Sequence, residues 1–132
     1  MDSYSELFER VNAPGEFAGV NHIRVTVIRE DYAEGELTVG PDSLNPHGIV
    51  HGGCLSTLAD TVGGVAASTR GGKCVTLNNT MNYLAPATGA VIRCAARPQK
   101  VGRTVSVFDT VLTDEAGRTV ATGTYTFYVR RD

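Results

Sequence analysis

Hydrophobic and polar residues alternate with two different periods along the chain, and the change of period separates the predicted elements. Near the N-terminus, apolar residues recur every three to four positions and predict a short amphipathic helix over residues 3–12. From residue 22 the apolar residues alternate with polar ones, and a turn at residues 31–35 divides this segment. The pattern therefore predicts a β-hairpin over residues 22–40.

A long segment with almost no charge follows, "GGCLSTLADTVGGVAAST" at residues 52–69, and predicts a buried helix. Short turns then separate four strand-like segments, at residues 74–84, 89–99, 103–113 and 118–130. Six strands side by side span roughly 25 Å, close to the length of about 27 Å for an 18-residue helix. The sequence therefore predicts an α+β fold in which one curved six-stranded antiparallel sheet wraps around one long central helix, with a short N-terminal helix beside it.

Composition narrows the classes of function. The 132 residues predict a single domain over residues 1–132, with 42% hydrophobic and 20% charged residues. A net charge of -2 and the absence of any block of like charge argue against a nucleic-acid partner and against a membrane partner. The N-terminus lacks the pattern of a signal peptide, and three cysteines without a CxxC pair favour reduced thiols. We therefore expect a cytoplasmic protein.

The predicted central helix contains one charged residue, Asp60, and burying an unpartnered carboxylate is costly. One stripe of the helix is apolar and should face the sheet; it consists of Leu55, Leu58, Ala59, Val62, Val65 and Ala66. The other stripe is small or hydroxylic; it consists of Gly53, Ser56, Thr57, Asp60, Gly63 and Gly64. Because a face exposed to solvent would normally carry longer charged side chains, the second stripe predicts close approach of a ligand or another subunit.

The start of this helix offers a second chemical feature. Gly52 and Gly53 lie where backbone N–H groups have no partner within a helix, and the absence of a Cβ lets another group approach them. Such donors suit a developing oxyanion. Asp60 lies eight residues beyond Gly52, or about 12 Å along the helix axis. If both groups serve one reacting carbonyl, they must come from two chains, which predicts a dimer.

Ordinary structural roles remain open for each of these residues. Asp60 is equally compatible with a structural carboxylate and with a catalytic one. Asn45 alone is typical of a turn, and His51 is compatible with an ordinary residue at a helix start. His47, His51 and Cys54 match no common zinc spacing and lack a fourth ligand, so we predict no metal site. Cys54 is most simply a small core residue.

Longer motifs resemble a known family. "NPHGIVHGG" at residues 45–53 followed by "LSTLAD" at residues 55–60 is similar to the signature of hotdog-fold acyl-CoA thioesterases of the phenylacetic-acid-pathway (PaaI) type. This group includes the 4-hydroxybenzoyl-CoA thioesterases. Supporting similarities are "YLAP" at 83–86, "VGRT" at 101–104 and "DEAGRTVATGTYTF" at 114–127. The resemblance extends from about the first strand to the end of the chain.

The resemblance implies a role for each matched position. Asp60 corresponds to the acid that acts as general base or nucleophile, and Gly52 to the residue whose N–H binds the thioester oxygen. Asn45 and His51 correspond to the pair near the attacked carbonyl or water, and Thr76 to a hydroxyl that helps hold the water. Substrate or CoA contacts are expected at Gly53, Thr57, Gly64, Tyr83 and Arg103. The family implies acyl-CoA as substrate, no cofactor, and dimers with shared sites that stack into tetramers.

Two departures from the family leave the acyl group open. The acid is Asp60, where the 4-hydroxybenzoyl branch uses glutamate, and Gly64 replaces a hydroxyl that some aryl-CoA enzymes carry. Gly63 and Gly64 are expected instead to open room for an acyl chain. The expected function is hydrolysis of an aryl- or medium-chain acyl-CoA to the free acid and CoA. A non-catalytic acyl-CoA-binding module is the alternative. A hydratase or dehydratase is a further one, although His51 beside Gly52 does not fit the usual motif of those enzymes.

Overall fold

The structure, a computed structural model, describes residues 4–131. Its helices are α1 (Ser5–Val11), α2 (Phe17–Val20) and the long α3 (Gly52–Ala67), and a short 3-10 turn covers Pro41–Ser43. Its strands are β1 (Ile23–Arg29), β2 (Tyr32–Thr38), β3 (Lys73–Tyr83), β4 (Val91–Lys100), β5 (Val105–Thr113) and β6 (Thr119–Arg130). The α+β architecture predicted from the sequence is thereby confirmed.

The six strands form one antiparallel sheet in the order β1-β2-β4-β5-β6-β3. The strand that follows α3 in the chain therefore lies at the far edge of the sheet, paired with β6, while β1 forms the other edge. α3 contacts all six strands, so the sheet surrounds much of the helix. This arrangement places α3 next to an edge strand, β3, that has a free side.

Packing between α3 and the sheet confirms the predicted apolar stripe, since all six of its residues are buried. The prediction for Gly63 is wrong: it was assigned to the stripe of small residues, but it is buried against the sheet. A Cβ at Gly63 would lie 3.1 Å from Cζ of Phe127, so the buried aromatic ring leaves little room for a side chain. The rings of Phe127 and Tyr125 stack beneath the helix, with centroids 6.1 Å apart.

Boundaries of the predicted elements differ by a few residues from those observed. α1 is shorter than the predicted helix over residues 3–12, and residue 3 lies outside the described part of the chain. Residues 12–19 were expected to be an irregular break, yet they lead into the single turn of α2. α3 ends at Ala67 instead of residue 69, because the chain turns at residues 68–70. Within residues 4–131, none of these helices has the length and apolar character needed to cross a membrane.

A β-bulge in β3 changes which side chains face the helix. Thr76 pairs with Phe127, but the next pair is Asn78 with Thr126, so Leu77 is an extra residue. Because side chains alternate along a strand, two residues seven positions apart normally face opposite sides. The bulge restores both Thr76 and Tyr83 to the side that faces α3.

α3 packs tightly against Gly35 of β2, and this contact yields a stability prediction. A Cβ there would lie 2.7 Å from Cγ2 of Val62 and 3.0 Å from the carbonyl oxygen of Arg24. We expect Gly35→Ala to lower the free energy of unfolding by about 1–3 kcal/mol, measured by chemical denaturation, because the buried helix must shift. Thr26→Ala, on an exposed position of β1, serves as control and should change it by less than about 0.5 kcal/mol. Equal stability of the two variants would contradict this packing.

Candidate active site

Asp60 is neither isolated nor fully buried in the structure. Its side chain is partly exposed, and its Oδ1 accepts a hydrogen bond of 2.6 Å from the hydroxyl of Thr76. The sequence predicted both residues for the site, and the structure brings them together across the interface of α3 and β3. Within residues 4–131, no cation forms an ion pair with Asp60 and no hydrogen bond reaches its Oδ2. One carboxylate oxygen thus remains available to water or substrate.

A cavity of about 680 Å³ opens beside this carboxylate. Asp60, Gly64 and Thr76 line it, together with residues of β6 and of the N-terminal segment. The N-terminal segment contributes six of the lining residues: Leu7, Arg10, Val11, Glu16, Phe17 and Ala18. No residue of this segment was predicted for the site. The amphipathic spacing of α1 was the only signal, and it indicates a buried face without showing what that face covers.

His51 caps the start of α3, and this changes the expectation for the two glycines. The His51 Nδ1 accepts a hydrogen bond of 2.8 Å from the N–H of Gly53. The prediction that both glycines have unpartnered N–H groups is therefore wrong for Gly53. A Cβ on Gly53 would lie 3.1 Å from that Nδ1, so glycine permits the close cap. Among residues 4–131, nothing accepts a hydrogen bond from the N–H of Gly52.

A second, mostly apolar cleft of about 350 Å³ lies at this helix start. Gly52, Asn45 and Tyr83 line it. The Asn45 Oδ1 accepts hydrogen bonds from the N–H groups of His47 and Ile49, at 2.9 and 3.3 Å. Asn45 thereby holds the turn at residues 45–49, which precedes α3. The Asn45 side-chain NH₂ has no partner in the described chain. The cleft is thus lined by two residues with donors, the Gly52 N–H and the Asn45 NH₂, that no group within residues 4–131 accepts.

The two halves of the predicted chemistry therefore lie in different cavities of one chain. The acid and its hydroxyl partner line the larger cavity, while the free donors line the smaller cleft, and the two share no lining residue. Asp60 and Gly52 belong to the same helix, and their separation of eight residues corresponds to about 12 Å along its axis. This arrangement agrees with the sequence argument that a complete site needs a second chain.

The other predicted contacts are distributed around these cavities. The Thr57 hydroxyl donates to the Gly53 carbonyl oxygen at 2.8 Å, so its proton is used within the helix. The ring of Tyr83 lies against Gly52 and is 52% exposed. Arg103 is exposed in the turn between β4 and β5, and its guanidinium makes no ion pair with any residue of the described chain. Arg103 lines neither of the two cavities.

Thiols and metal ligands contribute little to the site. Burial raises the pKa of the Cys54 thiol, so Cys54 is neutral at pH 7 and suits a packing role. Burial also raises the pKa of the Cys74 thiol, which lines the larger cavity, to about 11. Within residues 4–131, no three His, Cys, Asp or Glu side chains are placed to hold a metal ion together.

Comparisons with known proteins identify the family. Residues 47–121 match the Thioesterase superfamily. The chain is 32% identical over 120 residues to the proofreading thioesterase EntH of Cronobacter sakazakii, covering 86% of this chain and 87% of EntH. A hypothetical thioesterase from Streptococcus pneumoniae, solved with coenzyme A, is 31% identical with a TM-score of 0.77, covering 83% of this chain and 88% of that protein.

The E. coli PaaI protein from the phenylacetic acid degradation operon matches the fold more completely. Its TM-score is 0.89 at 23% identity, covering 96% of this chain and 93% of PaaI. At this identity the likeness supports the fold alone. Together with the family match over residues 47–121 and the relationship to EntH, it confirms the resemblance noted in the sequence. The chain belongs to the thioesterase superfamily of hotdog-fold thioester hydrolases.

Proposed function

We propose that this protein hydrolyses acyl-CoA thioesters at sites formed between two copies of the chain. Asp60 of one copy acts as general base or nucleophile, and the Gly52 N–H of the other copy binds the thioester oxygen. The observation that carries the proposal is the division of the chemistry between two cavities: the free carboxylate oxygen of Asp60 in one, and two unused donors in the other. The coenzyme A in the streptococcal structure supports a CoA ester as substrate.

The reaction needs a nucleophile and a place for the negative charge on the carbonyl oxygen. As a base, Asp60 takes a proton from water while the water oxygen attacks the carbonyl carbon. As a nucleophile, Asp60 attacks directly and forms a mixed anhydride that water then hydrolyses. In both routes the C–S bond breaks and CoA leaves as its thiolate. The Thr76 hydrogen bond orients the carboxylate so that its second oxygen faces the reacting group.

Stabilisation of the oxyanion is assigned to the start of α3. The Gly52 N–H lies at the positive end of the helix dipole and in a mostly apolar cleft, where a hydrogen bond to a developing charge is strong. The Asn45 NH₂ is a second donor in the same cleft. His51, which caps Gly53, fixes the helix start and so the direction of the Gly52 N–H. No cofactor is needed for this chemistry.

The second copy is expected at the edge strand β3. β3 has 11 residues, and its outer edge pairs with no strand in the described chain. Val75 and Leu77 are 59% and 53% exposed on it, which is unusual for a long edge strand. Antiparallel pairing of two β3 strands would cover these residues and bring the α3 helices side by side. We propose this dimer, stacked into a tetramer, as the functional form.

The CoA moiety is expected outside the apolar cavities. The exposed, unpaired guanidinium of Arg103 is available to a phosphate group.

A module that binds acyl-CoA without hydrolysing it is the remaining alternative, and the absence of turnover in the measurements below would favour it.

The first prediction about the proposed activity concerns the carboxylate of Asp60. Asp60→Asn keeps the size of the side chain but cannot act as base or nucleophile, so kcat for acyl-CoA hydrolysis should fall at least about 100-fold. Release of free CoA thiol measures this directly. Asp109→Asn is the matched control, because Asp109 is also a partly buried carboxylate with a Thr hydrogen bond, at 2.9 Å, but lies away from both cavities. Full activity of the folded Asp60→Asn variant would make Asp60 structural.

The second prediction concerns the backbone donor at Gly52. Proline is tolerated at the first position of a helix and removes the N–H, and His51 already has the extended conformation that a following proline requires (φ −63°, ψ 137°). Gly52→Pro should therefore fold but lose about 100- to 1000-fold in kcat. Gly52→Ala retains the N–H and is the control. Equal kcat for the two variants would remove this N–H from the mechanism.

The third prediction concerns sharing of the site. Asp60→Asn and Gly52→Pro chains are unfolded together and refolded at equal concentration, which gives mixed dimers. If each site uses Asp60 of one copy and Gly52 of the other, a mixed dimer has one intact site, and about a quarter of wild-type activity should return. If one chain supplies both groups, the mixture stays as inactive as either variant alone. Each variant refolded by itself is the control.

A further inference from the structure

The residues of α3 and β3 that line the cavity beside Asp60 show in which direction it extends. At one end Thr76 donates to Asp60. At the other end Cys74, which is on β3 like Thr76, neighbours Ser68 at the C-terminal end of α3. Asp60 and Ser68 are eight residues apart, so the cavity extends about 12 Å from the carboxylate towards the C-terminal end of α3. It is therefore elongated and runs parallel to the helix.

Two adjacent glycines of α3 differ in a way that points to this cavity. Gly63 is tightly packed, because a Cβ there would lie 3.1 Å from Cζ of Phe127. Gly64 is packed less tightly, because a Cβ there would lie 3.8 Å from Cε1 of Phe127, an ordinary contact distance. A glycine inside a helix is less favourable than alanine. Gly64 lines the cavity one turn after Asp60, so the effect of its missing side chain is open space in front of the carboxylate.

The cavity offers little to recognise a polar acyl group. Its two α3 hydroxyls donate to their own helix, Thr61 to the Thr57 carbonyl oxygen at 2.8 Å and Ser68 to the Gly64 carbonyl oxygen at 2.7 Å. The Cys74 thiol is neutral at pH 7. The apolar lining residues are Leu7, Val11, Phe17, Ala18, Val65 and Phe127. Arg10, Glu16 and Lys73 also line the cavity, but each is exposed to solvent.

We propose that this cavity holds an elongated apolar acyl group, and that Gly64 of α3 and Leu7 of α1, which both line it, set its length. The proposal rests on the function proposed above and names its substrate class: medium-chain, unsubstituted acyl-CoA in preference to short-chain or hydroxybenzoyl esters. Gly64 is a specificity-determining residue because it provides the space, and α1 is a wall of the acyl site.

The test compares kcat/KM for octanoyl-CoA, butyryl-CoA and 4-hydroxybenzoyl-CoA. Wild type should favour octanoyl-CoA over the other two. Gly64→Val should lower the ratio of octanoyl to butyryl kcat/KM at least tenfold, because its side chain enters the cavity. Gly64→Ala should lower the ratio less and raise the melting temperature, since alanine favours the helix. A fall in melting temperature with an unchanged ratio would show that packing, not substrate, requires this glycine.

The contribution of α1 to the cavity lining gives an independent test with a matched control. Leu7→Trp should also lower the octanoyl-to-butyryl ratio at least tenfold, whereas Glu9→Trp, exposed on the same helix and not part of the cavity wall, should keep the wild-type ratio. An active wild type whose ratio neither Gly64→Val nor Leu7→Trp changes would overturn the acyl assignment and leave the proposed function intact. A folded wild type that hydrolyses none of the three esters would overturn both.

Discussion

The structure depends on enclosing one helix that has almost no charge. α3 contacts every strand of the sheet, and its buried stripe provides a large part of the core. The single charged side chain of α3, Asp60, lies on a partly accessible part of the helix, next to the edge strand β3. The Thr76 hydroxyl partners this carboxylate without neutralising it. The same enclosure that stabilises the fold thus leaves one acid at an apolar cavity, next to an edge that a second chain can cover.

Much of this fold could be predicted from the sequence because its signals are local. The spacing of Leu55, Leu58 and Val62 identifies the face of α3 that meets the sheet, and alternation identifies strands such as β5 and β6. Asp60 was conspicuous because nothing else in the predicted helix is charged. Gly52 at the helix start likewise marked a place where a backbone donor lacks a partner in the described chain. Both halves of the candidate site were therefore predictable, including their separation along one helix.

What could not be predicted depends on contacts between distant parts of the chain. The β-bulge at Leu77 allows Thr76 and Tyr83 to face α3 together, and no local pattern indicates it. Gly63 and Gly64 look alike in sequence, and only the position of the Phe127 ring distinguishes them. The cap from His51 to Gly53 depends on one side-chain rotamer at the helix start. The wall formed by α1 depends on where a short N-terminal helix docks.

The central claim is that one catalytic site contains Asp60 of one copy and the Gly52 N–H of another. The most direct measurement is a crystal structure of the Asp60→Asn variant with intact octanoyl-CoA. The account predicts that the thioester oxygen accepts a hydrogen bond from Gly52 of one copy, while residue 60 of the neighbouring copy lies on the other side of the same carbonyl. A thioester that contacts both positions of a single chain, or that lies away from residue 60 of either copy, would contradict it.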